Sequence, residues 1–299
     1  YIPAQDNPLI FGMSEEWKQT GVYKRDPGRW NTGLEFGAFT QTLLENIESM
    51  PTPKGYLTAF DPLTGESPWT VEIPHYWNGG VVATAGGLVF QGDALGMFKA
   101  YDKATGEVLW EFNTYTSMLA PPITFEVDGE QYVSILTGTG GADMFSGEPL
   151  PPVAEHASLT YNNFGRLLVF KLGGEEILPV PTKRDRSIPV QPMLTASVDQ
   201  IADGERRYGN YCASCHGLVA RSGGVIPDLR VMGEEKHQIF NQVVLEGLLA
   251  QRGMAAFDDV LSEESVTNIH HYVRARAEED RLFAAGEIEA PQLTWLGGE

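Results

Sequence analysis

The first part of the chain, residues 1–172, carries short apolar runs that are separated by Gly, Pro and Asp. Typical runs are GYLTAFD, GGVVATAGGLVFQGD and QYVSILTG. Runs of this length bounded by turn residues predict β-strands, whereas the i, i+3, i+4 spacing of helices is hard to find here. We therefore expect an all-β fold over residues 1–172.

Two segments of this region repeat one pattern. LTAFDPLTGESPWTVE and FKAYDKATGEVLWEFN share Ala, Asp, Thr, Gly and Trp in the same register, with Gly65 matching Gly106 at an offset of 41 residues. This period is typical of a four-stranded blade of a β-propeller. The Asp-x-x-Thr-Gly part predicts a tight turn, and Trp69 and Trp110 are predicted to lie flat between neighbouring blades, where they stabilise the fold.

The pattern changes after residue 172. Residues 173–196 contain four prolines, mixed charge and no periodicity, which predicts a stiff linker. Residues 197–299 show helical periodicity, and Ser262 with the two glutamates after it predicts the start of a last helix. The predicted fold class is multidomain, with all-β propeller blades (1–172), the linker, and an all-α domain (197–299).

The charge and the hydropathy of the chain argue against binding to nucleic acid and against a membrane span. Lys and Arg total 21 against 40 Asp and Glu, which gives a formal net charge of −19. This charge repels phosphate backbones and anionic lipid headgroups. The longest apolar candidate, residues 81–90, is interrupted by glycines and is far shorter than a membrane span. We expect neither nucleic-acid binding nor a transmembrane segment.

Both cysteines of the chain lie in the segment Cys212-Ala-Ser-Cys215-His216. Cys-x-x-Cys-His is the attachment signature of c-type haem, in which two thiols add to the vinyl groups and the His binds iron. The alternatives are a redox dithiol, which needs no adjacent His, and half of a zinc site, which would need partners that the chain lacks. We predict haem c on Cys212 and Cys215, with His216 as an iron ligand.

The second axial ligand should come from a side chain downstream of this motif. Met254 and Met232 are the two methionines there, and Met254 lies in a non-periodic segment between two predicted helices. A thioether ligand favours ferrous iron, and we predict that Met254 rather than Met232 supplies it. His237, His270 and His271 fall on predicted helices and are expected to face solvent.

Two residues of the segment SGGVIPDLR are candidates for the surroundings of the haem. Pro227 can offer its carbonyl to the second ring nitrogen of the ligating His. Arg230 can bind a haem propionate through a charge-assisted fork. Each could instead be an ordinary loop residue.

Taken together, these motifs resemble the soluble quinohaemoprotein alcohol dehydrogenases and, more broadly, the pyrroloquinoline quinone (PQQ) dehydrogenases. The resemblance covers nearly the whole chain, and its segments follow the family's order. They are YIPAQ, the two DxxTGxxxW turns, WNGG, TAGGLVFQGD, MLAPPITFEVDGEQYVSI, GRLLVFKLGG, CASCHG, SGGVIPDLR and RGMAAF. It implies an eight-bladed propeller with PQQ on its axis, a divalent cation such as Ca²⁺ beside the quinone, and electron transfer to the tethered haem.

This resemblance also implies cofactor contacts in the propeller. Trp77 and Asn78 match the positions that border the PQQ ring, although an interblade Trp and a turn Asn are the alternative reading. Asp6 stands where the family usually has a cofactor-facing Asn. Only about three blades fit in residues 1–172, and the family's metal ligands, catalytic base and adjacent-cysteine disulfide are implied to lie in a missing first half. The chain is therefore expected to be the C-terminal part of the enzyme.

The implied function is a periplasmic quinohaemoprotein that oxidises a small alcohol to an aldehyde. Electrons would pass from PQQ through haem c to an external acceptor such as a soluble copper protein or a cytochrome, and haem attachment places this chemistry in the bacterial periplasm. Two alternatives stay open. One is a non-catalytic electron-transfer protein with a propeller docking scaffold, and the other is an oxidase of polymeric or bulky alcohols that differs in a pocket around residues 138–145.

Overall fold

A computed structural model describes residues 1–8, 13, 15–24, 46, 49–139, 155–222 and 226–292, and these form two compact units. The first, here called the β-unit, contains residues 1–8, 51–139 and 155–185, and the rest form the helical unit. Most of the pocket predicted around residues 138–145 lies outside the described residues. The boundaries predicted for the domains and the linker stay predictions.

The described part of the β-unit forms antiparallel sheets joined by tight turns. The strands are β1 (Ile2–Asp6), β2 (Lys54–Ala59), β3 (Trp69–Ile73), β4 (Asn78–Ala83), β5 (Leu88–Asp93), β6 (Met97–Asp102), β7 (Val108–Asn113), β8 (Ile123–Val127), β9 (Glu130–Thr137) and β10 (Arg166–Lys171). They pair in the orders β1-β2-β3, β4-β5-β6-β7 and β10-β9-β8. The middle sheet is thus a complete four-stranded meander, as expected for one propeller blade.

The repeated Asp-x-x-Thr-Gly segments form the turns between β2 and β3 and between β6 and β7. The Gly65 amide donates to the Asp61 carbonyl at 2.8 Å, and the Gly106 amide donates to the Asp102 carbonyl at 2.9 Å. Both glycines have a positive φ, 78° and 76°. Side chains other than Gly rarely adopt this conformation, so the repeat keeps Gly at the same place.

Trp69 packs the two repeats against each other. Its indole Nε1 donates to the Lys103 carbonyl at 3.2 Å, and its ring stacks on Tyr1 with centroids 5.5 Å apart. A Cβ on Gly106 would meet the Trp69 ring at 2.7 Å. The prediction that the repeat Trp lies flat between neighbouring blades is confirmed for Trp69. The Trp110 ring instead meets the Phe170 ring of the third sheet edge to face, with centroids 5.4 Å apart.

The helical unit is organised around one long helix near the C-terminus. The helices among the described residues are α1 (Glu15–Thr20), α2 (Ala157–Thr160, in the β-unit), α3 (Val198–Tyr211), α4 (Ala213–His216), α5 (Glu234–Gln238), α6 (Phe240–Val244) and the long helix α7 (Glu263–Ala284). Short 3₁₀ turns occupy Leu218–Ala220, Leu229–Val231 and Ala250–Arg252. The Oγ of Ser262 accepts a hydrogen bond from the Ser265 amide at 3.2 Å, so the predicted start of α7 is confirmed.

Helices α3 and α7 pack closely because of a glycine. A Cβ on Gly204 would lie 2.0 Å from the Asn268 carbonyl oxygen, so a larger residue would force the two helices apart. Next to this contact the rings of Tyr208 and Tyr272 lie 5.3 Å apart, both almost fully buried. Among the described residues, no helix is both long enough and apolar enough to cross a membrane.

Candidate cofactor sites

The Cys-x-x-Cys-His segment forms a single helical turn at the end of α3. Cys212, Cys215 and His216 are spaced i, i+3 and i+4 and therefore share one face of this turn. The amides of Cys215 and His216 both donate to the Cys212 carbonyl, at 3.1 and 2.9 Å. Gly217, with φ 81°, ends the turn, and its carbonyl accepts a hydrogen bond from the Tyr208 hydroxyl at 2.8 Å. The two thiols and the imidazole are thus presented together by a fixed backbone.

The ring of His216 is oriented by the Pro227 carbonyl, whose oxygen lies 2.9 Å from Nδ1. Because a carbonyl only accepts, Nδ1 carries the proton and Nε2 keeps the lone pair that binds a metal. Burial lowers the pKa of His216, against the opposite influence of Pro227 and Asp228. The structure therefore brings together His216 and Pro227 and keeps the imidazole neutral, as an iron ligand must be.

The cysteine thiols fit haem attachment better than a redox dithiol. Burial, with the neighbouring Cys215 sulfur, raises the pKa of Cys212 to about 12. Redox dithiols have a lowered pKa, because the thiolate is the reacting form. The donor set of two thiols and one Nε2 lone pair therefore fits a covalently held haem, although the roles of these residues stay predictions.

The two candidate methionines pack against one hydrophobic core. Met254 is half-buried in the segment after the last 3₁₀ turn, where Gly253 has a positive φ of 91°. Met232 is also half-buried, and both side chains contact the core of the helical unit. This placement does not separate them, and Met254 stays the predicted iron ligand.

Arg230 is buried, with 6% of its surface exposed, and is held by two carboxylates. Its Nε and Nη2 donate to Asp228 at 3.0 and 2.6 Å, and its Nη1 donates to Asp280 at 2.8 Å. Sequence reasoning missed both carboxylates, although Asp228 lies only two residues before the Arg. The propionate contact of Arg230 stays a prediction.

The expectation that the downstream histidines face solvent is wrong for two of them. His237 is 8% exposed, and its Nδ1 lies 2.8 Å from His270 Nε2. The His270 ring stacks on Phe240 with centroids 4.4 Å apart. Burial lowers the pKa of His270 to about 3, with His237 and Arg274 adding to the shift. Packing of α5 and α6 on α7 explains the difference, and His271 is half-buried.

In the β-unit, Trp77 precedes β4 and is anchored by a buried histidine. The Trp77 amide donates to His75 Nδ1 at 3.0 Å, so the proton of His75 sits on Nε2. Burial lowers the pKa of His75 to about 4, which keeps the ring neutral. No described residue accepts a hydrogen bond from His75 Nε2 or from the buried Trp77 Nε1. Sequence reasoning missed His75, and its place two residues before Trp77 is the signal that could have found it.

The two donors without an acceptor indicate whether the residues around Trp77 are suited to bind PQQ. A buried N–H without an acceptor costs about 1–3 kcal/mol, so such groups in native proteins commonly meet a ligand or water. The carboxylates and quinone oxygens of PQQ are acceptors of the kind that Trp77 and His75 lack. The residues present therefore fit a polar, acceptor-rich cofactor at this place.

The other two residues predicted to contact PQQ lie on neighbouring strands. The Asn78 amide donates to the Ala4 carbonyl at 3.1 Å and so ties β4 to β1. Asp6, two residues from Ala4 on the same face of β1, is exposed and stands opposite Lys54 in the strand register. The structure thus places Asp6, Trp77 and Asn78 in one region, and their cofactor contacts stay predictions.

Two family models match the chain. The model of the β-propeller domain of glucose/ethanol/alcohol dehydrogenases, named for PQQ, matches residues 71–133. The model described as cytochrome c oxidase, cbb3-type, subunit III, matches residues 199–273. Together with the antiparallel sheets and the helical C-terminal part, these matches confirm the predicted fold class, a PQQ-type propeller region followed by a cytochrome c domain.

Known relatives extend this similarity to nearly the whole chain. Quinohaemoprotein alcohol dehydrogenase ADH IIB of Pseudomonas putida is 38% identical over 286 residues, which are 94% of this chain and 39% of that protein. The solved structure of ADHIIG from Pseudomonas putida is 34% identical with a TM-score of 0.72, over 88% of this chain and 38% of that one. The solved quinohaemoprotein alcohol dehydrogenase of Comamonas testosteroni is 30% identical with a TM-score of 0.68, over 93% and 39%.

The chain is therefore homologous to the quinohaemoprotein alcohol dehydrogenases, and the resemblance predicted from its motifs is confirmed. It spans a little over a third of the length of the relatives it matches. The homology supports PQQ and haem c as the cofactors.

Proposed function

We propose that this chain is the haem-bearing part of a periplasmic quinohaemoprotein that oxidises an alcohol to an aldehyde. The observation that carries the proposal is the union in one chain of two features. One is a Cys-x-x-Cys-His turn whose imidazole Nε2 is free to bind iron. The other is a group of propeller-type sheets with two buried donors, Trp77 Nε1 and His75 Nε2, that lack a described acceptor.

At the haem end, four residues would hold the cofactor. Cys212 and Cys215 would form the thioether bonds, and His216 and Met254 would bind the iron. When bound, haem c supplies one-electron transfer at a potential that the axial ligands tune. Tyr208 contributes by holding the carbonyl at the end of the attachment turn.

At the quinone end, the residues bind and orient PQQ, which accepts two electrons from the alcohol when bound. Trp77 would offer its flat apolar side chain to PQQ, and the N–H groups of Trp77 and His75, which lack a described acceptor, would donate to its oxygens. Asn78 and Asp6 complete this contact. No residue of this chain is assigned to Ca²⁺, to a catalytic base or to alcohol binding, and the chain spans a little over a third of the length of the relatives it matches.

The electron acceptor is an external redox protein, either a soluble copper protein or a cytochrome. The net charge of −19 favours a basic docking face on that partner. The non-catalytic alternative and the oxidase of bulky alcohols have no observation of their own that favours them. They are distinguished by PQQ binding and by substrate, since the first predicts no PQQ binding and the second acts on large alcohols.

The haem end is tested by spectroscopy on the purified protein. A pyridine haemochrome spectrum of the c type, with one haem and no free thiol per chain, is the expected result. Releasable haem, or one free thiol, would contradict the attachment to Cys212 and Cys215. Met254→Ala should abolish the near-infrared band of the thioether ligand and lower the reduction potential, whereas Met232→Ala should do neither.

A further inference from the structure

Asp280 on α7 joins three arginines from three parts of the helical unit. Its Oδ1 accepts hydrogen bonds from Arg221 at 2.9 Å and Arg276 at 3.2 Å, and its Oδ2 accepts one from Arg230 at 2.8 Å. Burial alone would raise the pKa of Asp280, but the hydrogen bond and charge of Arg221 and the charge of Arg276 hold this pKa below its ordinary value. Asp280 is therefore a buried, charged anchor.

Arg230 connects Asp280 to Asp228, which lies in the segment that contacts His216. Its Nε and Nη2 form a fork on the two carboxylate oxygens of Asp228 while Nη1 stays on Asp280. The same Asp228 accepts from the Arg230 amide at 3.0 Å and so caps the 3₁₀ turn. Asp228 directly follows Pro227, so fixing Asp228 fixes the direction of the Pro227 carbonyl.

The Pro227 carbonyl in turn controls the electronic character of His216. The hydrogen bond from Nδ1 is 2.9 Å long. A well-placed acceptor on the second ring nitrogen makes the imidazole a more basic ligand, which favours ferric over ferrous iron. A displaced carbonyl would weaken this effect and raise the reduction potential.

We propose that Arg230 is a positioning residue for the iron ligand His216. Anchored on Asp280, it holds Asp228 and the Pro227 carbonyl in place and thereby lowers the reduction potential of the haem. This inference rests on the haem attachment proposed above. It gives Arg230 a role different from the propionate contact predicted from the sequence.

The two roles of Arg230 predict different responses to a charge-conserving change. A purely electrostatic effect of Arg230 depends on its positive charge, which Lys retains. The positioning role depends on a planar fork that serves Asp228 and Asp280 at once, which a single ammonium group cannot reproduce. A propionate contact would also lose its fork in Arg230→Lys, but it does not depend on where the Asp228 carboxylate lies. Both Arg230→Lys and Asp228→Glu should therefore raise the potential if Arg230 positions His216.

The experiment is a redox titration of the haem in the purified chain with haem attached. Arg230→Lys should increase the ferrous-to-ferric ratio at a fixed potential about three- to tenfold, tenfold corresponding to about 59 mV for one electron. Asp228→Glu, which keeps the charge but displaces the carboxylate, should act in the same direction. Both should alter the NMR shifts of the haem methyl groups in the ferric protein, which report the orientation of the axial imidazole.

Arg281→Lys is the matched control, because Arg281 makes a similar fork with Glu278 on α7, at 2.9 and 2.7 Å, outside the Asp280 cluster. It should change neither the potential nor the methyl shifts. An unchanged or lowered potential in either Arg230→Lys or Asp228→Glu overturns the proposal. If Arg230→Lys does not fold, the result with Asp228→Glu alone is the test. In the unaltered protein the His216 Nδ1 proton should exchange slowly with solvent, and fast exchange also overturns it. If the proposed haem attachment itself is wrong, the purified chain contains no covalent haem and the titration gives no haem potential at all, which is distinct from an unchanged potential.

Discussion

The two candidate cofactor sites of the chain hold their polar side chains differently. At the haem end, the buried charge of Arg230 is paired with Asp228 and Asp280. In the β-unit, the N–H groups of Trp77 and His75 meet no described acceptor. A haem held by covalent bonds does not depend on open donors, whereas a cofactor held without covalent bonds does. The helical unit has buried atoms of its own without a described partner, such as Asn268 Oδ1 and Arg276 Nε, so the contrast concerns the two candidate sites and not the two units as a whole.

The largest effect is expected from the packing of Trp69 in the β-unit. Gly65 and Gly106 have nearly the same φ, but only a Cβ on Gly106 would meet the Trp69 ring. Gly65→Ala should reduce the free energy of unfolding by about 1 kcal/mol, and Gly106→Ala by about 3 kcal/mol, because the second change adds overpacking to backbone strain. Denaturant unfolding measures both. Equal losses would contradict the role of Trp69 between the sheets.

The quinone site is tested by comparing two tryptophans. In the whole protein, Trp77→Phe removes the unsatisfied indole N–H and should weaken PQQ binding about fivefold, the value of one hydrogen bond of about 1 kcal/mol. Trp69→Phe is the control, since its indole already donates to Lys103, and it should lower stability without changing PQQ affinity. PQQ titration followed by tryptophan fluorescence gives both dissociation constants. Equal affinity in the Trp77 variant and the unaltered protein would remove Trp77 from the site.

A second effect on stability, smaller than that of Gly106→Ala, is a pH dependence in the helical unit. The pKa of His270 is near 6.5 in an unfolded chain and about 3 in the fold. Below about pH 6.5 the unfolded state binds a proton that the folded state does not, so stability falls as the pH is lowered, by at most about 1.4 kcal/mol per pH unit. His270→Gln should flatten the plot of unfolding free energy against pH between about 6 and 5. His271→Gln, at a half-buried position, should flatten it less, and the reverse order would count against this assignment.

The haem attachment could be predicted from the sequence because its parts are local. Cys212, Cys215 and His216 share a helical face through their spacing alone, and the cap at Ser262 is also a local signal. The burial of His237 and His270 depends on α5 meeting α7 across more than 30 residues of sequence, which periodicity does not encode. The same holds for Asp280, which lies 50 residues from Arg230.

In the β-unit, the repeat could be predicted but the residues around Trp77 only in part. The Asp-Thr-Gly-Trp pattern recurs at an offset of 41 residues and determines both the turns and the packing of Trp69, so these features can be predicted from the repeat itself. The Asn78 side chain instead bonds to Ala4, 74 residues away. His75 Nδ1 accepts a hydrogen bond from the Trp77 amide only in one orientation of its ring, and the sequence does not predict that orientation.

The most direct test of the proposed quinohaemoprotein is the reduction of its haem by an alcohol. The whole protein, loaded with PQQ and Ca²⁺ and oxidised beforehand, is mixed with 1-butanol while the haem absorbance is followed in time. The account predicts that the haem becomes ferrous only when PQQ is bound, and that the 299-residue chain alone shows no reduction by alcohol. Haem that stays ferric in the loaded protein with every alcohol tried, or that is reduced by alcohol without PQQ, would contradict it.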